Sequence, residues 1–372
     1  MTSRRIGGAR ALPAIDDTKE NLQMPPKNMA LWLTKRGARF EVGPAPYARP
    51  AADEVVVRAR AIAVNPVDGI PGFAYRLILR WLTFPAVVGS DVAGEVVEVG
   101  SDVTRLRPGD RVVGHAAGIE RNRNRAAEGA FQLYVVLMQH MVAPLPIGLP
   151  FAQAAVLPMA VSTAASGMFQ QDQLALALPT NDSQDRGETV LVWGGSTSVG
   201  SNAIQLARHA GYRVIATSSP RNFDYLRSLG ATETVDYHSR TAANELIEAM
   251  GDSPLAGTLA IGRGSLAPTL AVASKVEGSL RISSAQPALF TRVESSFRRR
   301  KGVRVNSIWG GSLKDNEVGP AIYVDFLPKA LSNGTYRAAP NAMVVGDGLD
   351  KIPDALERLR KGVSARKLVV TV

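Results

Sequence analysis

The stretch that decides the fold is Thr189-Val-Leu-Val-Trp-Gly-Gly-Ser-Thr-Ser-Val-Gly200, in which a compact apolar strand runs into a turn of glycines and small hydroxyl residues. From Val199 to Ala210 the chain has the spacing of a helix, and a second strand is predicted over 213–217. A helix N-terminus behind such a turn presents backbone N–H groups and the positive end of the helix dipole. The stretch therefore predicts a site for the pyrophosphate of a dinucleotide.

The turn itself supplies the expected contacts. Its glycines allow a tight turn and close helix–strand packing, and its hydroxyls add donors. We expect the dinucleotide to be bound here by Gly194, Gly195, Ser196, Thr197, Ser198, Val199 and Gly200. Thr197 stands where a GxxGxxG pattern has its middle glycine, and a purely structural turn is the alternative. The order of strand, turn, helix and second strand favours dinucleotide binding.

The end of the second strand indicates which dinucleotide. A site that prefers NADH places Asp or Glu about 20 residues past the turn, on the ribose 2′-hydroxyl. This chain has Ser218, Ser219 and Arg221 there, which suit a 2′-phosphate. The sequence thus predicts NADPH, and the alternative is that Arg221 is an ordinary solvated charge.

Strands and helices continue to alternate after this point, which predicts a doubly wound parallel sheet. The preceding part, from Met29 to about Pro150, has short β-type runs cut by Gly and Pro, typical of a small antiparallel barrel. The expected barrel strands include 54–64, 92–99, 110–114 and 131–136, and the expected parallel strands include 233–237, 255–261, 278–283 and 303–308. A helix over 352–361 and a last strand over 367–372 close the chain. The predicted organisation is a flexible extension over 1–28, a barrel over 29–150 plus 320–372, and a Rossmann domain over 151–319.

Composition narrows the chemistry. The 372 residues are 45% apolar and 20% charged, as in an ordinary globular protein, and none is cysteine. This excludes disulfides, thiolate zinc sites, Fe–S clusters and a cysteine nucleophile in this chain. The histidines at 115, 140, 209 and 238 show no paired ligand spacing, so no metal is expected.

The net charge of +10 invites a nucleic-acid or membrane-surface role. The cationic clusters, at 4–5, 121–125 and 298–301, are short and carry no interleaved aromatics. We therefore read them as solvated loops and expect neither a nucleic-acid nor a membrane partner. With no long uncharged apolar window, a cytoplasmic protein is the expectation.

A family resemblance lies in the barrel. Gly89-Ser-Asp-Val-Ala-Gly94, followed by Gly100, Val103 and Pro108-Gly-Asp-Arg-Val112, resembles the signature of the medium-chain dehydrogenase/reductase superfamily. Zinc-dependent members carry His and Glu directly after the first glycine. Because this chain has Ser90 and Asp91 there, and no cysteine, the resemblance implies a zinc-free member with a GroES-like barrel as catalytic domain.

Further motifs narrow the resemblance to the quinone oxidoreductase and enoyl reductase branch. Within this branch, the chain is most similar to the group that contains the trans-acting enoyl reductases that serve fungal polyketide synthases. The motifs are Asn65-Pro-Val-Asp68, Gly129-Ala-Phe-Gln132, Leu157-Pro-Met-Ala-Val-Ser-Thr-Ala164, Ser219-Pro-Arg-Asn-Phe223 and Val235-Asp-Tyr237.

This resemblance implies roles for individual residues. Asn222 would join Ser219 and Arg221 at the 2′-phosphate, and Tyr237 would lie at the adenosine, although it also has a plain structural reading as a strand end. Asn65 to Asp68 would lie beside the nicotinamide, and the Lys361-Gly362 turn near the cleft. Many relatives follow the equivalent of Asp68 with a Trp-Lys pair, whereas Gly69-Ile-Pro-Gly72 follows here.

Because the lysine of this Trp-Lys pair is missing, the sequence does not identify the catalytic groups. Tyr75 and Arg76 are the candidates to replace it, and Asn65 or Tyr75 would act on the substrate carbonyl. The expected activity is hydride transfer from NADPH to an enone or enoyl thioester. Quinone reduction and non-catalytic NADPH binding are alternatives, an acyl-carrier protein is a candidate partner, and both a monomer and a homodimer paired through 303–308 are open.

Overall fold

The strands fall into an N-terminal antiparallel set, a central parallel set and a C-terminal pair. The computed structural model describes residues 26–73, 75–286, 291–292 and 302–372. The strands are β1 (Asn28–Leu33), β2 (Phe40–Ala45), β3 (Glu54–Ala63), β4 (Ala86–Val87), β5 (Asp91–Val99), β6 (Arg111–His115), β7 (Tyr134–Met138), β8 (Val142–Pro144), β9 (Thr189–Trp193), β10 (Arg213–Ser218), β11 (Glu233–Asp236), β12 (Leu255–Ala260), β13 (Arg281–Ser284), β14 (Arg304–Ser307), β15 (Asn341–Asp347) and β16 (Arg366–Thr371). The predicted extension lies outside the described residues up to position 25, and so does the cationic cluster at 298–301.

The barrel is built around β3. A seven-stranded sheet has the order β15-β16-β3-β5-β6-β8, with β7 also paired to β3, and a three-stranded sheet has the order β2-β1-β4. Apart from the parallel β15–β16 pair, the pairing is antiparallel. The C-terminal strands therefore complete a sheet that the N-terminal part of the chain begins.

The central strands form a six-stranded parallel sheet in the order β11-β10-β9-β12-β13-β14. The strand order reverses between β9 and β12, and ligands of open α/β sheets bind beyond the carboxyl ends of the strands at such a point. Every residue of β9 and of β12 is buried, which explains why their sequences are continuous apolar runs rather than alternating ones. The fold is thus a GroES-like barrel joined to a Rossmann-type sheet.

Helices cover the parallel sheet and fill the junction with the barrel. The described α-helices are Tyr75–Ile78, Phe151–Ala154, Pro158–Phe169, Ser198–His209, Phe223–Ser228, Ala242–Met250, Leu266–Ala273, Val318–Pro320, Leu327–Ser332 and Ile352–Lys361, with a π-helical segment at Ala321–Phe326. The segment Phe151–Phe169 is long and apolar enough to cross a membrane, but most of it is buried inside this fold. Its hydropathy is therefore that of a core element.

Two strand predictions were misplaced. The strand predicted over 131–136 begins only at Tyr134, because the preceding residues cross to β1, where the Leu31 N–H donates to the Phe131 carbonyl at 2.8 Å. The strand predicted from Gly278 begins at Arg281, since Gly278 has φ of 114° and makes an isolated bridge to Leu255. In both places the apolar pattern continues past the regular pairing.

The interpretation of the 121–125 cluster as solvated charges was wrong for two arginines. Arg123 and Arg125 form ion pairs with Glu54 and Glu128, whose side chains are buried. Buried carboxylates require such partners, so these arginines tie the loop after β6 to the start of β3. The loop that borders the cleft is therefore held in place by buried charge.

Candidate active-site cleft

A cavity of about 450 Å³ lies where the carboxyl end of the parallel sheet faces the barrel. On the sheet side it is lined by 196–199 of the glycine-rich turn and by 261–262. On the barrel side it is lined by 64–67 and by 365–368, and Glu120, Met159 and 308–311 close it. The expected dinucleotide turn and the expected barrel residues therefore share one cleft.

The glycines of the turn are sterically required. Gly194 has φ of 86°, in the left-handed region that favours glycine. A methyl group on Gly200 would lie 2.7 Å from the Gly195 Cα and overlap the Gly194 carbonyl, and one on Gly195 would lie 2.7 Å from Leu226. The helix can approach the strand this closely only with glycine at these positions.

Thr197 serves the turn itself. The Gly200 N–H donates to Thr197 Oγ1 at 3.0 Å, and that hydroxyl donates to the Gly194 carbonyl at 2.8 Å. The side chain thus caps the helix that begins at Ser198. The backbone N–H groups of Ser196, Ser198 and Val199 have no hydrogen-bond partner in the described part of the chain. These free donors beside the cleft fit a pyrophosphate.

Of the residues expected at a 2′-phosphate, which lie at the end of β10, some are exposed and others are buried. Ser219 is partly exposed and Arg221 is exposed, and Arg221 forms no ion pair with any residue that the structure describes. Ser218 is buried and donates to the Ser219 carbonyl, while Asn222 is buried and donates to Ser364 Oγ at 3.2 Å. Outward-facing donors here are thus Ser219 and Arg221, and Tyr237 lies exposed after β11.

A buried cation lies on the opposite wall, at Lys367. Its Nζ is 2.9 Å from Asp91 Oδ2 and donates to Asn65 Oδ1, and the side chain is 6% exposed. The register of the sheet explains the meeting, because Ala63 of β3 lies opposite both Asp91 of β5 and Val369 of β16. Residues far apart in the sequence therefore converge at one edge of the barrel, at the cleft.

Asn65 acts as a holder of this cluster. Its side-chain nitrogen donates to Asp91 Oδ2 at 2.9 Å and, more weakly, towards Asp68 Oδ2 at 3.4 Å. With its oxygen bound to Lys367, the amide has no free hydrogen for a substrate. The predicted direct contact of Asn65 with a substrate carbonyl therefore has no free amide hydrogen to make it, and the Asn65 side chain holds the Lys367 ammonium instead.

The structure does not bring Tyr75 or Asp68 to the cleft. Both line a separate cavity on the barrel side, together with Arg360, and Tyr75 packs edge-on against Phe84. Burial raises the pKa of Tyr75 to about 12, with a further contribution from nearby Asp68. The predictions of Tyr75 as a catalytic group and of Asp68 as a cofactor ligand therefore placed both residues in the wrong cavity. The chain after Pro66 leads them into the barrel-side cavity and away from the cleft.

The other expected residues lie at the margin. Lys361 is exposed and paired with Glu357 at 2.8 Å, and Gly362, with φ of 92°, ends the helix Ile352–Lys361. Arg76 is exposed on the short helix Tyr75–Ile78. Val363 and 365–368, which follow this turn, form the wall of the cleft instead.

Sequence reasoning missed three buried charged residues of the cleft region: Asp91, Glu120 and Lys367. Lys367 carried a signal, because it shares a strand face with Val369 in an apolar run. Asp91 was considered only as one of the two residues that stand where zinc-dependent members carry His and Glu. Glu120 lies in a loop and had no periodic context. Among the described residues, no group of three or more His, Cys, Asp or Glu side chains is arranged to hold a metal ion.

Comparison with known proteins agrees with this architecture. Residues 51–147 match the alcohol dehydrogenase GroES-like domain and residues 198–318 match the zinc-binding dehydrogenase family. The dehydrogenase pigH of Monascus ruber is 43% identical over 93% of this chain and 100% of its own length. The trans-enoyl reductase himH of Aspergillus japonicus is 35% identical over 93% of this chain and 97% of its own.

Among solved structures, the quinone oxidoreductase from Coxiella burnetii superposes with a TM-score of 0.65 at 23% identity, covering 93% of this chain and 100% of that one. The chain belongs to the zinc-free branch of the medium-chain dehydrogenase/reductase superfamily. It is an oxidoreductase with a nicotinamide-cofactor domain and acts on a small molecule.

The buried charges of the barrel edge predict a pH-dependent stability. Burial raises the pKa of Asp68 to about 7, with Asp91 adding to the effect. The folded chain then holds a proton that the unfolded chain releases near pH 4, so stability falls as pH rises towards 7, by about 1 kcal/mol per unit. In Asp68→Asn this slope should shrink, measured as the free energy of urea unfolding from pH 5 to 8.

Asp325→Asn is the control, because Asp325 is exposed. That variant should keep the wild-type slope. Equal slopes in all three proteins would contradict a neutral Asp68.

Proposed function

We propose that this protein is an NADPH-dependent, zinc-free reductase that adds hydride to an activated carbon–carbon double bond, in an enone or an enoyl thioester. The observation that carries the proposal is that the dinucleotide turn and the buried cation Lys367 line the same cavity. NADPH supplies the hydride when bound, and the protein supplies binding, orientation and charge.

The residues of the barrel edge fit the charge that this reaction develops. When the β-carbon of the substrate accepts a hydride, negative charge grows on the carbonyl oxygen. A fixed cation at that oxygen stabilises the transition state more than the ground state. Asp91 and Asn65 hold the Lys367 ammonium in place, so little reorganisation is needed during the reaction.

The preference for NADPH rests on the end of β10. Ser219 offers a hydroxyl, Arg221 offers a guanidinium that forms no ion pair with any described residue, and β10 itself carries no carboxylate. A guanidinium binds a phosphate through two parallel hydrogen bonds. The NADH ribose would gain nothing comparable.

A quinone reductase is the second candidate, favoured by the apolar side chains of the cleft. Met159, Ile308, Leu359 and Val363 line it, and Trp309 offers a flat ring. Such walls suit a planar acceptor as well as an acyl chain. Non-catalytic NADPH binding is the third reading, and turnover with any acceptor excludes it.

The remaining proposals concern partners and location. Several relatives are named trans-enoyl reductases, which supports an acyl thioester on a carrier protein as one form of the substrate. β14 and β11 are the edge strands of the described parallel sheet, β14 is the strand through which a homodimer would pair, and a monomer is the alternative. We propose a cytoplasmic enzyme without nucleic-acid or membrane partners.

Acceptor choice tests the proposed function. Purified protein should oxidise NADPH under anaerobic conditions with a short α,β-unsaturated acyl thioester or enone, followed at 340 nm, and more slowly with a small quinone. Faster quinone turnover would replace the first candidate by the second. Absence of turnover with every acceptor, although NADPH binds, would leave the binding-only function.

Cofactor choice tests Arg221. Arg221→Ala should raise the KM for NADPH at least about 10-fold, because a charge-assisted phosphate contact is lost, and should leave the KM for NADH nearly unchanged. The matched control is Arg227→Ala, which removes an exposed arginine from the adjacent helix. An equal rise in the KM for NADPH and for NADH would contradict the assignment of Arg221 to the 2′-phosphate.

A further inference from the structure

One buried carboxyl of the cleft has no part in the function proposed above. Glu120 lies five residues beyond β6, is 4% exposed, and lines the cavity together with Thr163 and Met159. It is the one carboxyl among the described residues that line this cavity. Carboxyl groups are rarely this buried without a partner of opposite charge.

Its contacts leave one oxygen free. The indole N–H of Trp309 donates to Glu120 Oε2 at 2.8 Å. In the described part of the chain, no group donates to Oε1 and no cation pairs with the carboxyl. Gly311 packs against it so closely that a methyl group at that position would overlap the carboxyl. The protein thus has a space shaped around this group, open on the cavity side.

The surroundings favour the neutral acid. Burial raises the pKa of Glu120, against smaller opposing effects of the Trp309 hydrogen bond and Lys314, while Asp315 adds to the rise. Lys314 itself is paired with Asp315. On the strand side, His115 borders the same small void as Glu120, and burial lowers its pKa to about 4, so it brings no positive charge at neutral pH.

We propose that Glu120 is the acid that delivers a proton to the α-carbon of the reduced substrate, a role that rests on the proposed function. Hydride addition to the β-carbon oxidises the cofactor and moves the π electrons of the double bond onto the carbonyl, which leaves an enolate. The α-carbon then forms a C–H bond with the proton of the Glu120 carboxyl as the O–H bond breaks. The resulting carboxylate regains its proton from solvent.

Other proton carriers are less well placed. Tyr75 lies behind Asn65, outside the cleft. The hydroxyl of fully buried Tyr323 is used in hydrogen bonds to Ser162 and to the Pro158 carbonyl. Lys367 is bound to Asp91 and serves the carbonyl oxygen. Cation and acid thus come from different elements of the cleft, as the two ends of an enolate require.

Glu120→Gln tests the role, because glutamine keeps the size of the side chain and an acceptor for Trp309 while losing the acidic proton. Glu317→Gln is the control for an exposed glutamate. The first readout needs no turnover: in the infrared spectrum of the cofactor-free protein at neutral pH, Glu120→Gln should lose protonated-carboxyl intensity that Glu317→Gln retains. The contribution of Asp68, whose pKa burial raises to about 7, should stay the same in all three proteins.

The second readout is turnover in D₂O. Wild type should place deuterium at the α-carbon in one configuration. Glu120→Gln should bind NADPH normally, react about 100-fold more slowly, and give a mixture of configurations. Wild-type rate and configuration in Glu120→Gln would overturn the assignment, whatever the infrared band shows. A wild type that binds NADPH but reduces no unsaturated acceptor would overturn the proposed function, and this role with it.

Discussion

The ion pair between Lys367 and Asp91 is the interaction on which the barrel edge and the cleft depend. Both side chains are almost wholly buried, so either charge alone would be strongly destabilising. The same Asp91 carboxylate accepts the Met159 N–H at 2.5 Å, at the start of the buried helix Pro158–Phe169. One carboxylate therefore fixes a strand of the barrel, the C-terminal strand and the helix that joins the barrel to the parallel sheet.

This arrangement gives the cleft an uneven electrostatic character. The cation is fixed by Asp91 and Asn65, whereas burial favours the neutral forms of Glu120 and Asp68. A fixed positive charge and a buried carboxyl whose pKa is raised suit a reaction that first develops negative charge and then takes up a proton. The position at which zinc-dependent relatives would carry His and Glu is occupied here by Ser90 and Asp91, and the buried cation beside the cavity is the Lys367 ammonium.

The sequence predicts those parts of the site whose residues are close together in the chain. The turn 194–200 has its strand, its glycines and its helix in consecutive positions, so its form follows from short-range rules. The Lys367 cluster depends on antiparallel pairing between β16, β3 and β5, across 302 residues in the case of Asn65 and Lys367. Glu120 and Tyr75 follow from loop paths, which no periodicity encodes. Tyr75 follows Asp68 closely in the sequence, which favours a place beside it, but both residues line a cavity separate from the cleft.

In the proposed reaction, the Lys367 ammonium stabilises the negative charge that forms during hydride transfer. The most direct test is the single-turnover rate in Lys367→Met/Asp91→Asn, a pair that removes both charges together so that neither is left buried alone. We expect this variant to stay folded and to bind NADPH, while hydride transfer to an unsaturated acyl thioester slows by about 100-fold or more. A rate within roughly threefold of wild type, less than 1 kcal/mol of barrier, would contradict it.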